Sequence, residues 1–479
     1  MKTLVTLFQI AFILVFIGQQ SLRAQEGLSL EKYLELVKMN HPFVKQAQLK
    51  IDASEANLMK SRGAFDPKLN FNQKEKNFKG INYYKNQKTQ LIVPTYFGIQ
   101  LDAQVQESSG FYLNPENNTD GQLYGIGGSI DLSQGILSNP RQIALKQAKL
   151  FTKQTKERNA LEVNEILTAA SHAYLDWYKA YKSYQIIEQF VSNAFFRFEG
   201  VKKRVNTGDL AAIDSTEARI AYFQRQIERE NAQLDYQKNK IEVSNFIWFE
   251  SQPFVLSNEI EPELNEEDFI MLFKADSLEI ENHPKLLEIG FKRSQLDLEK
   301  RLQKSNLLPQ LSLHYQWLSE SNPISKLNYT MDPDNNITGI KASFPLFLRK
   351  ERANLKLASI KVIDMEWEQA QTKVELENKI KALYLAKERL KNQWDIAKQM
   401  VEDYRLLLIG EQKKFAAGES SLFLVNSRES KLIEALLKSI SLEVNQKKAE
   451  INYYYAINFQ SNPMSLLDPF LNQIDFTLN

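Results

Sequence analysis

The side chains that could bind a metal or carry out catalysis are few and scattered in this sequence. The four histidines are His41, His172, His283 and His314, and no two have the spacing of metal ligands. Cysteine is absent, which excludes a disulfide framework, a thiolate nucleophile and a cysteine metal site. Nothing in this set supports an enzyme.

Three further patterns resemble sites but have simpler explanations. The glycine-rich run at residues 125–128 lies on a predicted strand and lacks the helix that a phosphate-binding loop needs. Glycines in a strand more often mark close packing between neighbours. The acidic stretch at residues 259–268 is more typical of a solvated surface than of a calcium site, and no serine lies in a nucleophile-elbow context. We therefore expect no catalytic residue, no metal and no cofactor.

Net charge gives no indication of a nucleic-acid partner. The chain has 60 Lys and Arg and 59 Asp and Glu, which gives a formal net charge of +1. The charges are dispersed, whereas nucleic-acid binding usually requires a dense basic patch.

Residues 1–24 have the pattern of a secretory signal peptide. Lys2 supplies the positive charge, residues 4–17 are mostly apolar, and Ala24 precedes a cleavage point. The apolar run is shorter than the roughly 20 residues that a membrane-spanning helix needs. An uncleaved N-terminal anchor is the alternative. An exported protein of this size can still enter an outer membrane as a closed β-barrel.

The chain contains an internal duplication. His41-Pro42 returns as His283-Pro284 about 242 positions later, and Ala173-Tyr174-Leu175 returns as Leu383-Tyr384-Leu385 about 210 positions later. Each half has the order helix, strands, long helix, glycine turn, long helix. The change in offset makes the first-half strand region longer by about 32 residues. Residues 80–95 are the expected surplus, either as an extra hairpin or as a longer surface loop.

Hydrophobic periodicity divides each repeat into three segments, a short helix, a group of strands and a helical hairpin. For the first repeat these segments are predicted at 25–65, 66–137 and 138–250, with the hairpin tip near residue 208. For the second repeat they are predicted at 282–307, 308–347 and 348–458, with the tip near residue 418. A segment at 251–281 joins the repeats, and a tail follows at 459–479. Both are predicted to be equatorial, which means that they would pack beside the middle of the rod formed by the helical hairpins.

The predicted strands are apolar on one face and polar on the other. Leu311, Leu313 and Tyr315 alternate with Ser312 and His314, and residues 99–106 alternate in the same way. In a soluble sandwich the apolar face would form the core, whereas in a membrane barrel it contacts lipid and the polar face lines water. The barrel is favoured because the strands are too few for a sandwich of their own.

The hairpin segments predict unusually long helices. A helix of about 65 residues would be roughly 100 Å long. Apolar residues recur in it at heptad spacing, which indicates coiled-coil packing rather than a thick core. They include Ile220, Phe223, Ile227, Leu234 and Ile241.

Taken together, these features resemble the TolC-type outer-membrane efflux protein (outer membrane factor) family. The resemblance rests on the twofold repeat, the paired strands, the helical hairpins and the tip motifs at residues 204–214 and 414–422. It implies a mainly α fold with membrane β structure. Long helical hairpins would form a periplasmic tube, and each subunit would give four strands to a twelve-stranded barrel in a homotrimer. Four strands cannot close a barrel alone, since single-chain barrels start at eight.

The function that the resemblance implies is passive export from the periplasm to the exterior. The protein would be the outer-membrane channel of a tripartite efflux or type I secretion system in a Gram-negative bacterium. Its partners would be a periplasmic adaptor (membrane fusion) protein, an inner-membrane pump and outer-membrane lipid. The alternative is a non-conducting exported coiled-coil protein that tethers layers of the cell envelope.

The resemblance places adaptor docking at the two hairpin tips. A glycine in a left-handed conformation allows a tight reversal there, although each glycine could also serve only as a helix cap. The expected contact residues of the first tip are Val205, Asn206, Thr207, Gly208, Asp209 and Leu210. Those of the second tip are Phe415, Ala416, Ala417, Gly418, Glu419 and Ser420.

Acidic residues near the tips are candidates for the aperture of the tube. Some family members carry paired aspartates past the second tip, but here those positions hold Leu424 and Ser427. Asp209 and Glu419 are the alternative sources of negative charge. Asp214 would either pair with a basic or tyrosine group of a neighbouring hairpin or act as a first-turn helix acid.

Overall fold

A computed structural model describes residues 27–116, 119–132, 138–249, 252–257, 259–273, 280–320 and 332–457. The predicted signal peptide at 1–24 and the predicted tail at 459–479 lie outside these residues. The α-helices are α1 (Leu30–Asn40), α2 (Pro42–Arg62), α3 (Pro140–Asn206), α4 (Ala212–Ser244), α5 (Glu266–Leu272), α6 (Pro284–Ser305), α7 (Arg349–Ala416) and α8 (Leu422–Ile457). The strands are β1 (Leu28–Ser29), β2 (Lys68–Phe78), β3 (Ile81–Pro94), β4 (Ile99–Ser109), β5 (Gly121–Asp131), β6 (Trp248–Phe249), β7 (Gln252–Pro253), β8 (Pro262–Glu263), β9 (Gln310–Ser319) and β10 (Asn336–Ser343).

The chain divides into two compact units. The first unit comprises Met1–Ala47, Ala160–His283 and Glu375–Asn479, and the second comprises Gln48–Asn159 and Pro284–Val374. Both units draw on both sequence repeats. No helix of the part described is long and apolar enough to cross a membrane.

The second unit contains one antiparallel sheet of six strands in the order β10-β9-β5-β4-β3-β2. The prediction of four strands per subunit is therefore wrong for this chain. The surplus in the first repeat is a hairpin, because β2 and β3 pair along their length and turn at Lys79 and Gly80, whose φ angles are 52° and 76°. Strand β3 also pairs with β4 from Lys85↔Ser109 to Pro94↔Gln100, so the hairpin extends the sheet.

The register gives the sheet one apolar and one polar face. An apolar row runs through Leu91, Ala103, Ile126 and Trp317 on β3, β4, β5 and β9. The adjacent row on the other face runs through Lys68, Ile92, Asp102, Gly127 and Gln316, on β2, β3, β4, β5 and β9. The alternation predicted from the sequence continues through these rows, whereas further along β2, β3 and β4 the face of Leu91 carries Glu75, Lys85, Gln87 and Glu107.

The first unit has an aromatic core. Trp177 and Tyr174 of α3 and Tyr33 of α1 are fully buried. The Tyr174 hydroxyl oxygen lies 2.6 Å from the Leu28 carbonyl oxygen and 2.7 Å from that of Glu263. These two residues belong to the paired strands β1 and β8. The hydroxyl therefore links the start of the described chain and the inter-repeat segment to one helix.

The two long hairpins have matching dimensions. Helices α3 and α7 contain 67 and 68 residues, and the returning helices α4 and α8 contain 33 and 36. The heptad positions predicted to pack on α4 are exposed in the single chain, for example Ile220 at 63%. Helix α4 instead buries Ala218, Arg225 and Ala232. The small side chains of Ala218 and Ala232 allow neighbouring helices to approach closely. The larger apolar side chains, such as Ile220, lie on the exposed face of α4.

Candidate functional site

The two hairpin tips have the same backbone geometry. Gly208 and Gly418 adopt φ angles of 84° and 80°, in the left-handed region. The N–H of Asp209 donates to the Arg204 carbonyl, and the N–H of Glu419 donates to that of Lys414, both at 2.9 Å. These six-to-one bonds, with a left-handed glycine, define a Schellman helix cap. The tight reversal expected at each glycine is present.

The predicted contact residues divide into an exposed set and a packed set. The exposed residues are Asn206, Thr207, Gly208, Asp209, Ala416, Ala417, Gly418 and Glu419. Val205, Leu210 and Phe415 pack against the buried Val201, Ala218 and Leu422. The guanidinium of Arg204 also lies 5.8 Å from the centre of the Phe415 ring. A small apolar cluster therefore fixes the two tips to each other and presents the turns outward.

The polar side chains of the second tip form their own hydrogen bonds. The hydroxyl of Ser420 donates to a Glu411 carboxylate oxygen. The other Glu411 oxygen lies 3.7 Å from Nε of Arg428. Ser420 is half-buried, so this predicted contact residue is partly engaged within its own hairpin.

Asp214 has a local role in the structure. Its carboxylate accepts a hydrogen bond of 3.1 Å from the backbone N–H of Ala211. This bond satisfies one of the free donors at the start of α4, as an acid in the first turn commonly does. The structure shows Asp214 as an acid of the first helical turn, and its pairing with a neighbouring hairpin stays a prediction. The other aperture candidates, Asp209 and Glu419, are exposed, as are Leu424 and Ser427.

Two exposed apolar residues beside the tips were missed by the sequence reasoning. Ile213 is 74% exposed and Phe423 is 66% exposed. They lie in the first turns of α4 and α8 and occupy equivalent positions in the two repeats. The signal was available in the sequence, because both are apolar and separated by the repeat offset of about 210 positions.

A buried ionic network lies further along the hairpins. The carboxylate of Glu429 on α8 is paired with the guanidinium of Arg197 on α3, with Nη1 to Oε1 at 3.3 Å. Nε of Arg225 on α4 is 3.8 Å from the same carboxylate, and Arg225 also donates to Ser430 at 2.7 Å. The Glu429 side chain is only 3% exposed. The network therefore joins both hairpins through their interior.

On the polar face of the sheet, the side chains of Asp102, Gln104 and Gln316 are joined by hydrogen bonds that pass over the glycines of β5. Nε2 of Gln316 donates to Asp102 at 2.7 Å, and Nε2 of Gln104 donates to Gln316 at 3.1 Å. The bonds cross β5 at Gly125 and Gly127. A Cβ at Gly127 would lie 2.1 Å from the Tyr315 carbonyl oxygen. The glycine-rich run thus serves close packing, as expected from the sequence.

The histidines and acids show no metal-binding arrangement. Among the residues that the structure describes, no three His, Cys, Asp or Glu side chains are grouped as a metal site. His41 is buried against Phe43 and Phe246, with ring centres 5.6 and 5.8 Å away. Its Nδ1 accepts a hydrogen bond from the Phe43 N–H, and burial lowers its pKa. This histidine is a neutral packing residue.

The chain is similar to known proteins in fold and in part of its sequence. Residues 277–458 match the family described as "Outer membrane efflux protein". No curated protein matches the sequence. The structure of CusC, described in terms of transmembrane channel formation, has a TM-score of 0.64 at 14% identity, covering 90% of this chain and 92% of that chain. The CmeC outer membrane channel of Campylobacter jejuni has a TM-score of 0.62 at 13% identity, with 94% and 90% coverage. The outer membrane protein VceC of Vibrio cholerae has a TM-score of 0.64 at 12% identity, with 90% and 97% coverage.

The fold is therefore that of the outer-membrane channels. The match of residues 277–458 to the outer membrane efflux protein family and the channel fold agree with the resemblance predicted from the sequence. The family and the solved CusC and CmeC structures are of channels rather than enzymes.

Proposed function

We propose that this protein is the outer-membrane channel of a tripartite efflux or type I secretion system. It would act as a passive conduit from the periplasm to the exterior, with energy supplied by an inner-membrane pump. The observation that carries the proposal is the two-faced sheet. Its apolar face suits lipid, and its polar face, with Asp102, Gln104 and Gln316, suits a water-filled lumen.

The working channel would be a homotrimer. Within the described residues, β2 and β10 are the edges of the sheet and pair with no further strand. Open edges carry unpaired backbone groups, which are not tolerated in lipid. Because β2 and β10 run antiparallel, the β10 edge of one copy can pair with the β2 edge of the next. Closure by copies of the chain satisfies both edges.

The helical hairpins provide a second surface for assembly. Ile220, Ile227, Leu234 and Ile241 recur every seven residues along α4 and are each at least half exposed. A sustained heptad seam of this kind normally packs against another helix. Helices of neighbouring copies are the occupants consistent with a closed tube.

The hairpin tips would dock a periplasmic adaptor. The two Schellman turns expose Asn206, Thr207 and Asp209 on one hairpin and Ala417 and Glu419 on the other. The exposed apolar side chains Ile213 and Phe423 extend this surface. Apolar anchors surrounded by polar groups are the usual composition of a binding hot spot.

Release of solutes from liposomes tests the proposal. The purified protein is reconstituted into liposomes loaded with a small water-soluble dye and with a dye-labelled dextran too large for a pore. We expect release of the small dye and retention of the dextran. Retention of both, with the protein correctly inserted, would contradict the conduit and favour the non-conducting tether.

A further inference from the structure

The added hairpin β2–β3 gives the sheet a basic polar face. Lys68 and Lys74 on β2 and Lys88 on β3 occupy even-numbered positions, and the register places all three on the same face as Asp102 and Gln104 of β4. Lys88 lies opposite Asn72 in the register, one step along the face from Lys74. The three lysines therefore extend along one side of the hairpin.

The acidic side chains of this region lie on the other face. Glu75 is paired with Lys85, and Glu107 with Gln87, so both carboxylates belong to the odd-numbered face. Glu75 also accepts a hydrogen bond of 2.8 Å from Asn77. The charges of β2, β3 and β4 are therefore separated, with Glu75, Glu107 and Lys85 on one face and Lys68, Lys74, Lys76 and Lys88 on the other.

The carboxylate of Asp102 does not neutralise these lysines. Asp102 accepts from Gln316 on β9, which lies on the side away from the hairpin. Lys68 is two strands from Asp102, a separation of about 10 Å at the usual strand spacing. None of Lys68, Lys74 and Lys88 has an ion-pair partner among the described residues. Lys76, opposite Tyr84 in the register, also occupies an even-numbered position, and its ammonium lies 4.8 Å from the centre of the Tyr83 ring. On β2, β3 and β4 the polar face therefore carries four lysines and one carboxylate.

We propose that this lysine face, defined by Lys68, Lys74 and Lys88, makes the channel selective for anionic solutes. The inference rests on the proposed function, because it requires the polar face to line the pore. Like charges that line a narrow aqueous passage raise the local concentration of counter-ions and repel co-ions. The cargo class that fits this surface carries carboxylate, sulfonate or phosphate groups.

Reversal potentials in planar bilayers under a KCl gradient test the inference. The wild-type channel is expected to prefer chloride over potassium. The triple variant Lys68→Gln, Lys74→Gln and Lys88→Gln should lose that preference severalfold, because the field that attracts anions is removed. The triple variant with glutamate at the same positions should invert it.

Lys85→Gln is the matched control, since Lys85 lies on the same hairpin but on the opposite face. Its reversal potential should equal that of the wild type. If the triple glutamine variant conducts with an unchanged reversal potential, the lysine face does not set the preference for anions and the proposal is wrong. Absence of any conductance in the wild-type protein would instead overturn the proposed function, so the two failures can be told apart.

Discussion

Arg197 and Glu429 form a buried ion pair that joins helix α3 of the first repeat to helix α8 of the second. The guanidinium also donates to Asn426 at 2.9 Å, one turn earlier on α8. A buried pair is balanced while it is intact, but removal of one partner leaves a poorly compensated charge in a low-dielectric interior. Without Arg197, the Glu429 carboxylate would keep only the longer contact of 3.8 Å with Nε of Arg225, which also pairs with Glu228. The ion pair thus adds a charged contact to the apolar clusters that also join the hairpins.

The variant Arg197→Ala is therefore expected to destabilise the protein by about 3 kcal/mol, a loss typical of breaking a buried pair. Adding Glu429→Gln to this variant should restore part of the loss, because the poorly compensated buried carboxylate is removed. Thermal unfolding monitored by circular dichroism measures both. Lys431→Ala, which breaks an exposed pair with Glu434 on the same helix, is the control and should leave the melting temperature unchanged. Equal stability of Arg197→Ala and the wild type would contradict a role for the ion pair.

Replacement of Gly208 or Gly418 by valine should impair efflux without preventing insertion. Both glycines have positive φ, and a β-branched residue there costs about 1–2 kcal/mol of local strain. The strain would distort the turn that presents the proposed docking residues. Drug susceptibility of a strain that carries the variant, with immunoblots of its outer-membrane fraction, provides the measurement.

The control for the tips is Gly200→Ala. Gly200 lies within α3, and a Cβ there meets no atom within 4 Å. Alanine should raise helix stability by roughly 0.5–1 kcal/mol and leave efflux intact. Normal resistance in the Gly208→Val strain would remove the docking assignment.

The glycines of β5 are expected to be needed for the sheet. In Gly127→Val the Cβ would meet the Tyr315 carbonyl oxygen and the Gln316 Cα, which are backbone atoms that cannot move independently. We expect little inserted protein in membrane fractions. Gly339→Ala on β10 is the comparison, since its nearest neighbour is the His314 Cβ at 3.8 Å, and it should insert normally. Insertion of both variants at wild-type levels would show that β5 does not pack as described.

Burial of His41 predicts a loss of stability on acidification. Its pKa is lowered by burial, so the unfolded chain binds a proton more readily than the folded protein does. The stabilising contribution is complete above the ordinary histidine pKa of about 6.5 and declines as the pH falls towards the lowered value. Asparagine at position 41 keeps an acceptor for the Phe43 N–H but does not titrate. The melting temperature should therefore fall less between pH 7.5 and pH 5.5 in His41→Asn than in the wild type, and parallel losses would contradict the argument.

The features that follow local rules were predictable from the sequence. The glycine turns at Gly208 and Gly418 could be placed because a helix that reverses needs a residue tolerant of positive φ. The alternation of apolar and polar residues along the strands also predicted which residues share a face in rows such as Leu91, Ala103, Ile126 and Trp317. The positions of the long helices followed from their uninterrupted helical pattern and from the repeat.

The features that depend on contacts distant in the chain were not predictable. Arg197 and Glu429 are separated by 232 positions and were two unremarkable charges on long, highly charged helices. On α4 the heptad pattern identified Ile220 and Ile227 but could not decide whether their partner lay in the same chain. The pairing of β3 with β4 likewise needed the fold, because a polar hairpin and a surface loop have similar composition.

The pore is expected to exist only as an assembly of copies, and the mass of the purified particle is the decisive measurement. Native mass spectrometry in a mild detergent gives that mass independently of shape. We expect three copies of the mature chain in one particle. A folded chain that remains a stable monomer in the same detergent would show that the pore does not require an assembly of copies.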